Sequence, residues 1–344
     1  MDEWLYDKIL GCLMAAGIGD AMGAPTEGMC KDEILEVHGG RIEGFVDVKD
    51  SEYSKGNNIG EITDDSSQMY EMAKAVADCN GNLTVQAAAD ALVRWSEFYP
   101  KYFPRNAGPT TSKVINGLKN GRDPIELGKA GKSFNRGITN GAAMRIAAAG
   151  LTKPGDYEKA IKNAVNMCRP SHGTQHAFSG ACAIACGISE ALLDSATTVS
   201  IVKACVYGAK RGEAIGNESG RSASGVRVLN NIGSSVREAL LSDNMVDAEN
   251  RIESMTGCDV SIQSSVAAAI GLFLAADGDI KKTLLSCANM GGDSDTNACI
   301  AGMLCGAYKG YNKIPEEWIP QFKEANVTIN FEGIAQRLTE IAKA

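Results

Sequence analysis

The chain has 344 residues, 44% of them hydrophobic and 22% charged, with a formal net charge of −8. That is a soluble globular profile, long enough for one large domain or two small ones, and its acidity argues against a general nucleic-acid-binding surface, which would be basic. Eleven cysteines, an odd number with no secretory signal before them, read as reduced thiols in a cytoplasmic protein. No uninterrupted apolar run reaches the roughly 18 residues of a membrane span, so no membrane partner is expected.

Apolar residues recur at helical spacing through most segments and Val/Ile alternation is scarce, which predicts an all-α fold. Helices are expected over 6–23, 65–79, 84–98, 109–119, 140–150, 157–168, 174–192, 198–211, 224–240, 262–276, 280–289, 296–309 and 332–343. Several are rich in Ala, Gly, Cys and Ser, which lets helix axes approach closely. Only Arg41 to Val48 looks strand-like. No 20–50-residue repeat and no linker interrupts the pattern, so residues 1–344 are read as a single domain.

In chain order, Gly17, Gly19 and Gly23 have the spacing GxGxxxG inside a helical pattern. A dinucleotide fingerprint needs GxGxxG after a strand, so these glycines are read as helix contact points. Asp20 is an acid in an otherwise apolar helix and must find a partner or a cation. Pro25 ends that helix, and Glu27 follows on a loop, where site residues concentrate. His38, beside Gly39-Gly40, reads as a turn residue, and 49–58 as an exposed loop.

Gly60 to Met69 contains Thr63, Asp64 and Asp65 at a helix start. Asp65 and Gln68, three apart, can form a capping box, but that leaves Thr63 and Asp64 unexplained. Further on, Trp95 reads as core, and the aromatics of the loop from Pro100 to Pro109 are expected to pack. Asn135 to Arg145 is a Gly-punctuated loop running into a helix, able to offer backbone N–H groups to an anion, or to be a plain turn capped by Asn140. His172 and His176 have a possible zinc spacing, but no HExxH pattern accompanies them. Cys182 and Cys186 read as small core residues, and 212–234 as a polar surface turn before another helix.

Gly291-Gly292-Asp293-Ser294-Asp295-Thr296-Asn297 then repeats the pattern of glycine, hydroxyl and two acids before a helix. In an irregular turn both aspartates can converge on one point, which suits a hard cation; the plainer reading is an over-provided N-cap. Two helix starts, each with more oxygen ligands than capping requires, favour metal binding. Together they supply four carboxylates and two threonines, enough for two cations sharing a carboxylate.

The stretch 19–27 (Gly-Asp-Ala-Met-Gly-Ala-Pro-Thr-Glu), Thr63-Asp64-Asp65 and Gly291-Gly-Asp-Ser-Asp-Thr296 together resemble the motifs of the ADP-ribosylglycohydrolase family, in order and rough spacing. Asn140-Gly141-Ala-Ala-Met144-Arg145 and Ser171-His172 resemble two further blocks, and the resemblance spans about residues 8 to 310. It implies a compact all-α domain and a binuclear Mg²⁺ or Mn²⁺ site with Thr63, Asp64, Asp65, Asp293, Asp295 and Thr296 as ligands, Asp295 bridging. It further implies hydrolysis of a ribosyl glycosidic bond, with oxocarbenium character at the anomeric carbon. Glu27, Asp64 and Asp65 carry the implied catalytic roles, and Asn140, Gly141 and His172 the substrate-binding ones. The implied partner is an ADP-ribosylated protein or small ribosyl substrate. Where the family's ADP-ribose binders often have a small or hydroxyl residue, an aromatic and Gly before Asn-Gly, this chain has Gly137-Ile138-Thr139. That departure favours, as an alternative, a free small riboside. A non-catalytic role like that of the family's crystallins is a third reading, which the retained metal ligands oppose.

Overall fold

The computed structural model describes residues 2–131 and 137–344. The described chain begins with α1 (Glu3–Gly23), α2 (Lys31–His38), α3 (Asp64–Asp78), α4 (Val85–Phe98), α5 (Pro109–Lys119) and α6 (Pro124–Lys129). It continues with α7 (Ala147–Gly150), α8 (Tyr157–Cys168), α9 (Gln175–Ala191), α10 (Thr198–Ser219), α11 (Val228–Leu241) and α12 (Met245–Thr256). It ends with α13 (Ile262–Ala275), α14 (Ile280–Met290), α15 (Ser294–Lys309), α16 (Trp318–Ala325) and α17 (Phe331–Lys343). Side-chain oxygens of Thr63, Thr84, Thr174, Thr197, Asn244 and Asp279 accept backbone N–H groups at helix starts, satisfying donors that a helix leaves free. The fold is all-α, as the periodicity predicts: among the described residues there is no strand, only isolated bridges from Thr139 to Ser261 and from Thr174 to Arg221.

The strand-like segment Arg41 to Val48 is therefore not a strand. At Ile42 a side chain takes the place of a neighbouring strand: Ile42 N donates to Asn289 Oδ1 at 2.7 Å, and Asn289 Nδ2 donates to Ile42 O at 2.9 Å. Arg41 clamps the buried Glu249 through both guanidinium nitrogens, at 2.9 and 2.6 Å. The expected helix over 140–150 is broken into a 3₁₀ turn, Asn140–Ala142, and α7, where Ala143 N and Ile146 N donate three residues back, to Asn140 O and Ala143 O, in place of the α-helical step of four. Four short helices, α2, α6, α12 and α16, arise where none was expected. Their apolar stripes are narrow: α12 buries Ala248, Glu249, Ile252 and Thr256, too little for periodicity to mark and enough for tertiary packing to hold.

Two helix pairs approach backbone to backbone. Along α1 and α15, running antiparallel, Gly11 faces Gly306, Ala15 faces Gly302, Gly19 faces Ala298 and Gly23 faces Ser294, one contact per i, i+4 step. A Cβ at Gly19 would lie 2.3 Å from Ala298 O, and one at Gly302 the same distance from Ala15 O. Helices α9 and α10 repeat the device: Cβ atoms at Gly208 and Gly212 would lie 2.1 Å from Cys182 O and 2.3 Å from Phe178 O. With Gly216 against Gln175, this contact carries α10 on to Ser219, past the expected surface turn at 212.

By length and composition α1 with its 3₁₀ extension is long and apolar enough to cross a membrane, but its apolar window is buried entirely inside the fold. This corrects the expectation from uninterrupted runs, since Asp20 interrupts the run without much lowering its average hydropathy. Lys8, also buried, donates to Ala191 O at 2.6 Å at the end of α9, where a cation suits the negative end of the helix dipole.

Gly302→Ala tests the close approach. Helix propensity alone would favour alanine by about 1 kcal/mol, but overpacking against a carbonyl is expected to reverse the sign and cost about 1–3 kcal/mol in urea unfolding. An unchanged or raised midpoint would refute the contact.

Candidate active site

Asp20, the anomalous acid of α1, is wholly buried and finds backbone partners. Its carboxylate accepts from Thr63 N, 3.1 Å from each oxygen, and from Ser66 N at 2.9 Å. Asp20 thus caps α3 from another helix, and Thr63 Oγ1 caps it again by accepting from Asp65 N at 3.3 Å. The capping box expected from Asp65 and Gln68 does not form, because those cap positions are taken. Gln68 Nε2 donates to Asp64 Oδ2 at 2.8 Å, and Asp65 Oδ2 is buried with no hydrogen-bond partner among the described residues.

The second acidic start is held by glycines and by the segment that carries Glu27. Gly28 N donates to Gly292 O at 2.8 Å and Gly292 N to Met29 O at 3.0 Å. Gly291 and Gly292 have φ of +78° and +66°, and a Cβ on Gly291 would strike Met29 O at 2.2 Å, so both positions require glycine. Asp293 N donates to Cys258 O at 2.9 Å. The Asp293 side chain makes no capping bond on α15; its Oδ2 accepts from Asn140 Nδ2, which also donates to Ser265 Oγ at 2.7 Å. Asp295 Oδ1 accepts from Thr296 N at 2.8 Å.

These acids share one cleft of about 360 Å³. It is lined by Glu27, Asp64, Asp65, Asn140, Gly141, Asp293, Asp295 and Thr296, all expected from the sequence. Two expected residues are not in the lining. Thr63 is buried at its cap, and His172 lies behind the wall, its ring beside Gly141 and 2.9 Å from Thr139 Oγ1. Thr139 and Met144, named in the loop and block around Asn140 without a role of their own, also line it, and sequence reasoning missed Tyr53, Arg105 to Thr111 and Val260, which complete the lining. Only Gly108-Pro109-Thr110, a helix start on the loop after 100, offered a signal there. The aromatics of that loop turn inward, Phe103 meeting Trp95 edge-on at 5.7 Å. Asn135 and Arg136 lie outside the described residues. The zinc spacing is idle: His172 is engaged with Thr139 and Ser171, and His176 Nε2 with Ala223 O at 3.0 Å.

The electrostatics would suit a bound cation. Burial, then Asp20 and Asp293, push Asp64 up to about 8. Burial and neighbouring carboxylates push Glu27, Asp65 and Asp295 well above the ordinary range. So many carboxylates in one buried cluster cannot all ionise without positive charge. Carboxylate oxygens of Glu27, Asp293 and Asp295 lie within 4.8 Å of one another, and the unpartnered Asp65 Oδ2 adds a free oxygen. An all-oxygen donor set of this kind fits hard divalent cations. Glu27 therefore sits inside the donor cluster and not merely beside it.

Asp20→Ala is expected to lower stability by at least about 2 kcal/mol with Mg²⁺ present, since it strands the buried Thr63 and Ser66 N–H groups. Urea unfolding with a midpoint equal to that of the parent would show that these bonds do not hold α3.

A family model described as ADP-ribosylglycohydrolase matches residues 1–344. The chain is 30% identical to YegU, an uncharacterized protein of Escherichia coli (strain K12), over 98% of this chain and 97% of that protein. It is 25% identical to the ADP-ribosyl-[dinitrogen reductase] glycohydrolase of Rhodospirillum rubrum, over 92% of this chain and 90% of that enzyme. A solved structure titled ADP-ribosylglycohydrolase-related protein complex shares the fold, with a TM-score of 0.66, 21% identity and 99% of each chain covered.

Proposed function

The chain belongs to the ADP-ribosylglycohydrolase family, and we propose that it hydrolyses a ribosyl glycosidic bond, removing ADP-ribose from a protein side chain or small acceptor. The observation that carries this reading is the convergence of two acidic helix starts and Glu27 on one cleft, with more carboxylate oxygen than helix capping uses. Asp64, Asp65, Asp293, Asp295 and Thr296, with Glu27 in the same donor cluster, would hold two divalent cations, Mg²⁺ or Mn²⁺, while Thr63, the sixth ligand implied by the family resemblance, caps α3 behind them. When bound, such cations supply Lewis acidity for water activation and for orienting a ribose diol.

The chain's own residues supply the rest. Asp64, with one oxygen held by Gln68, lines the cleft and is placed to orient the attacking water. Asp65, with an unpartnered oxygen, serves beside it, and Glu27 is placed to orient the ribose or pass a proton. The ring of carboxylates favours the positive charge that grows on the sugar as the leaving group departs. Asn140, fixed by Asp293 and Ser265, and Gly141 form the wall against which the substrate rests.

A second reading, a free small riboside as substrate, draws on one observation. Ile138, where family members often carry an aromatic, is buried, and Tyr53 is the one aromatic lining the cleft among the described residues. The single-domain reading over 1–344 and the cytoplasmic setting belong to the same proposal, the latter supported by eleven unpaired cysteines.

The test is product release by the purified protein with Mg²⁺, with Mn²⁺ and with chelator. The panel holds ADP-ribosyl-arginine, an ADP-ribosyl-serine peptide, O-acetyl-ADP-ribose and free ribosides. Metal-dependent release of ADP-ribose is expected, and turnover of ribosides alone would select the second reading. Asp295→Ala should abolish turnover and most of the metal-dependent rise in Tm, because a ligand of the native state alone stabilises it. Full activity in that variant would sink the metal reading.

A further inference from the structure

Behind the cleft wall lies a buried polar relay that no step above uses. Arg145 is wholly buried, donates to Gln68 Oε1 at 2.7 Å and to Ser171 Oγ, and brings Nη2 to 3.5 Å from His172 Nδ1. A guanidinium can only donate, so it fixes the direction of every bond leading away from it.

On one side, the Gln68 amide must present its oxygen to Arg145, which leaves its NH₂ for Asp64 Oδ2. On the other side, Ser171 Oγ accepts from Arg145 and lies 2.8 Å from His172 Nδ1. The guanidinium can only donate and brings Nη2 to Nδ1, so that nitrogen carries the lone pair and the Ser171 hydroxyl is left to donate to it. Burial and the Arg145 charge keep the ring neutral, so its single proton sits on Nε2, 2.9 Å from Thr139 Oγ1. Thr139 Oγ1 accepts that proton's hydrogen bond and keeps its own hydrogen to give. Thr139 lines the cleft beside Asn140.

We propose that Arg145, through Ser171 and His172, sets Thr139 as a hydrogen-bond donor facing the cleft, which selects a substrate with an acceptor oxygen at that point. Arg145, Ser171 and His172 are then positioning residues, and Thr139 is the group that touches substrate. The relay rests on hydrogen-bond geometry and on the burial that keeps His172 neutral; its link to substrate rests on the ribosyl-hydrolase reading.

Two measurements test these parts separately. The first is the imidazole ¹⁵N spectrum of the Mg²⁺-loaded protein, which holds three histidines, with His172→Gln giving the assignment. The expected species is neutral His172 with its proton on Nε2, and Ser171→Ala should mix the tautomers. A proton on Nδ1, or an imidazolium at neutral pH, would overturn the relay. The second is turnover of ADP-ribosyl-arginine and of a phosphate-free aryl riboside by Thr139→Val and Thr139→Ser. Valine keeps the shape without the donor and should lose about tenfold in kcat/KM, with serine restoring most of it. Loss with both substrates marks an acceptor on the ribose, and loss with the first alone an acceptor on the phosphates. Thr139→Val equal to the parent would overturn the donor role. An Nε2 proton with no ribosyl turnover by the parent would support the relay and overturn the substrate reading.

Discussion

The contact between α1 and α15 is the constraint on which the site depends. Where glycine or alanine meets backbone at each i, i+4 step, two helices can lie closer than ordinary side chains allow, and their relative register is fixed by shape. The last of these contacts, Gly23 against Ser294 and Asp295, lies at the site itself. Thr26 Oγ1 and Ser294 Oγ both reach Gly23 O, at 3.0 and 2.9 Å, so the end of one helix and the start of the other are tied together. Glu27, on the turn that follows α1, and Asp295, in the first turn of α15, therefore meet because the two helices cannot slide.

A second consequence of that register is electrostatic. Asp20 reaches from the same helix to hold the start of α3, and this brings Asp64 and Asp65 to the acids of α15. Burial and then the neighbouring carboxylates raise each of these acids, so the rigid packing holds a cluster that must take up protons or cations. Arg145 is a buried cation beside these acids, yet its terminal nitrogens go to Gln68, Ser171 and His172. Its charge steadies the neighbourhood without filling the cleft, and the binding capacity of the acids is left open.

Much of the site was legible because its chemistry breaks local rules. Two helix starts carried surplus acids, and an aspartate sat in an apolar helix; each oddity in residues 19–27, 63–65 and 291–296 marked a real feature. Asp20 was recognisable as needing a partner, but not as a cap, since the partner lies on a helix that only tertiary packing brings near. Tyr53 and Arg105 were invisible for a different reason: they sit in irregular loops where neither periodicity nor spacing predicts facing. The strand-like reading of 41–48 failed because an asparagine side chain supplied the bonds a neighbouring strand would have made. Helices such as α12 went unseen because their stability comes from what they pack on and not from their own pattern.

The pairing of α1 with α15 has a kinetic side. The partners are separated by almost the whole length of the chain, so on the ribosome α1 emerges long before the surface that covers it. Until then it is an apolar helix with the composition of a membrane span, exposed to any other greasy surface. Contacts so distant in sequence form late, and larger chains of this kind are vulnerable to aggregation meanwhile. The glycine stripe that makes the finished site rigid thus also makes its assembly the step most in need of protection.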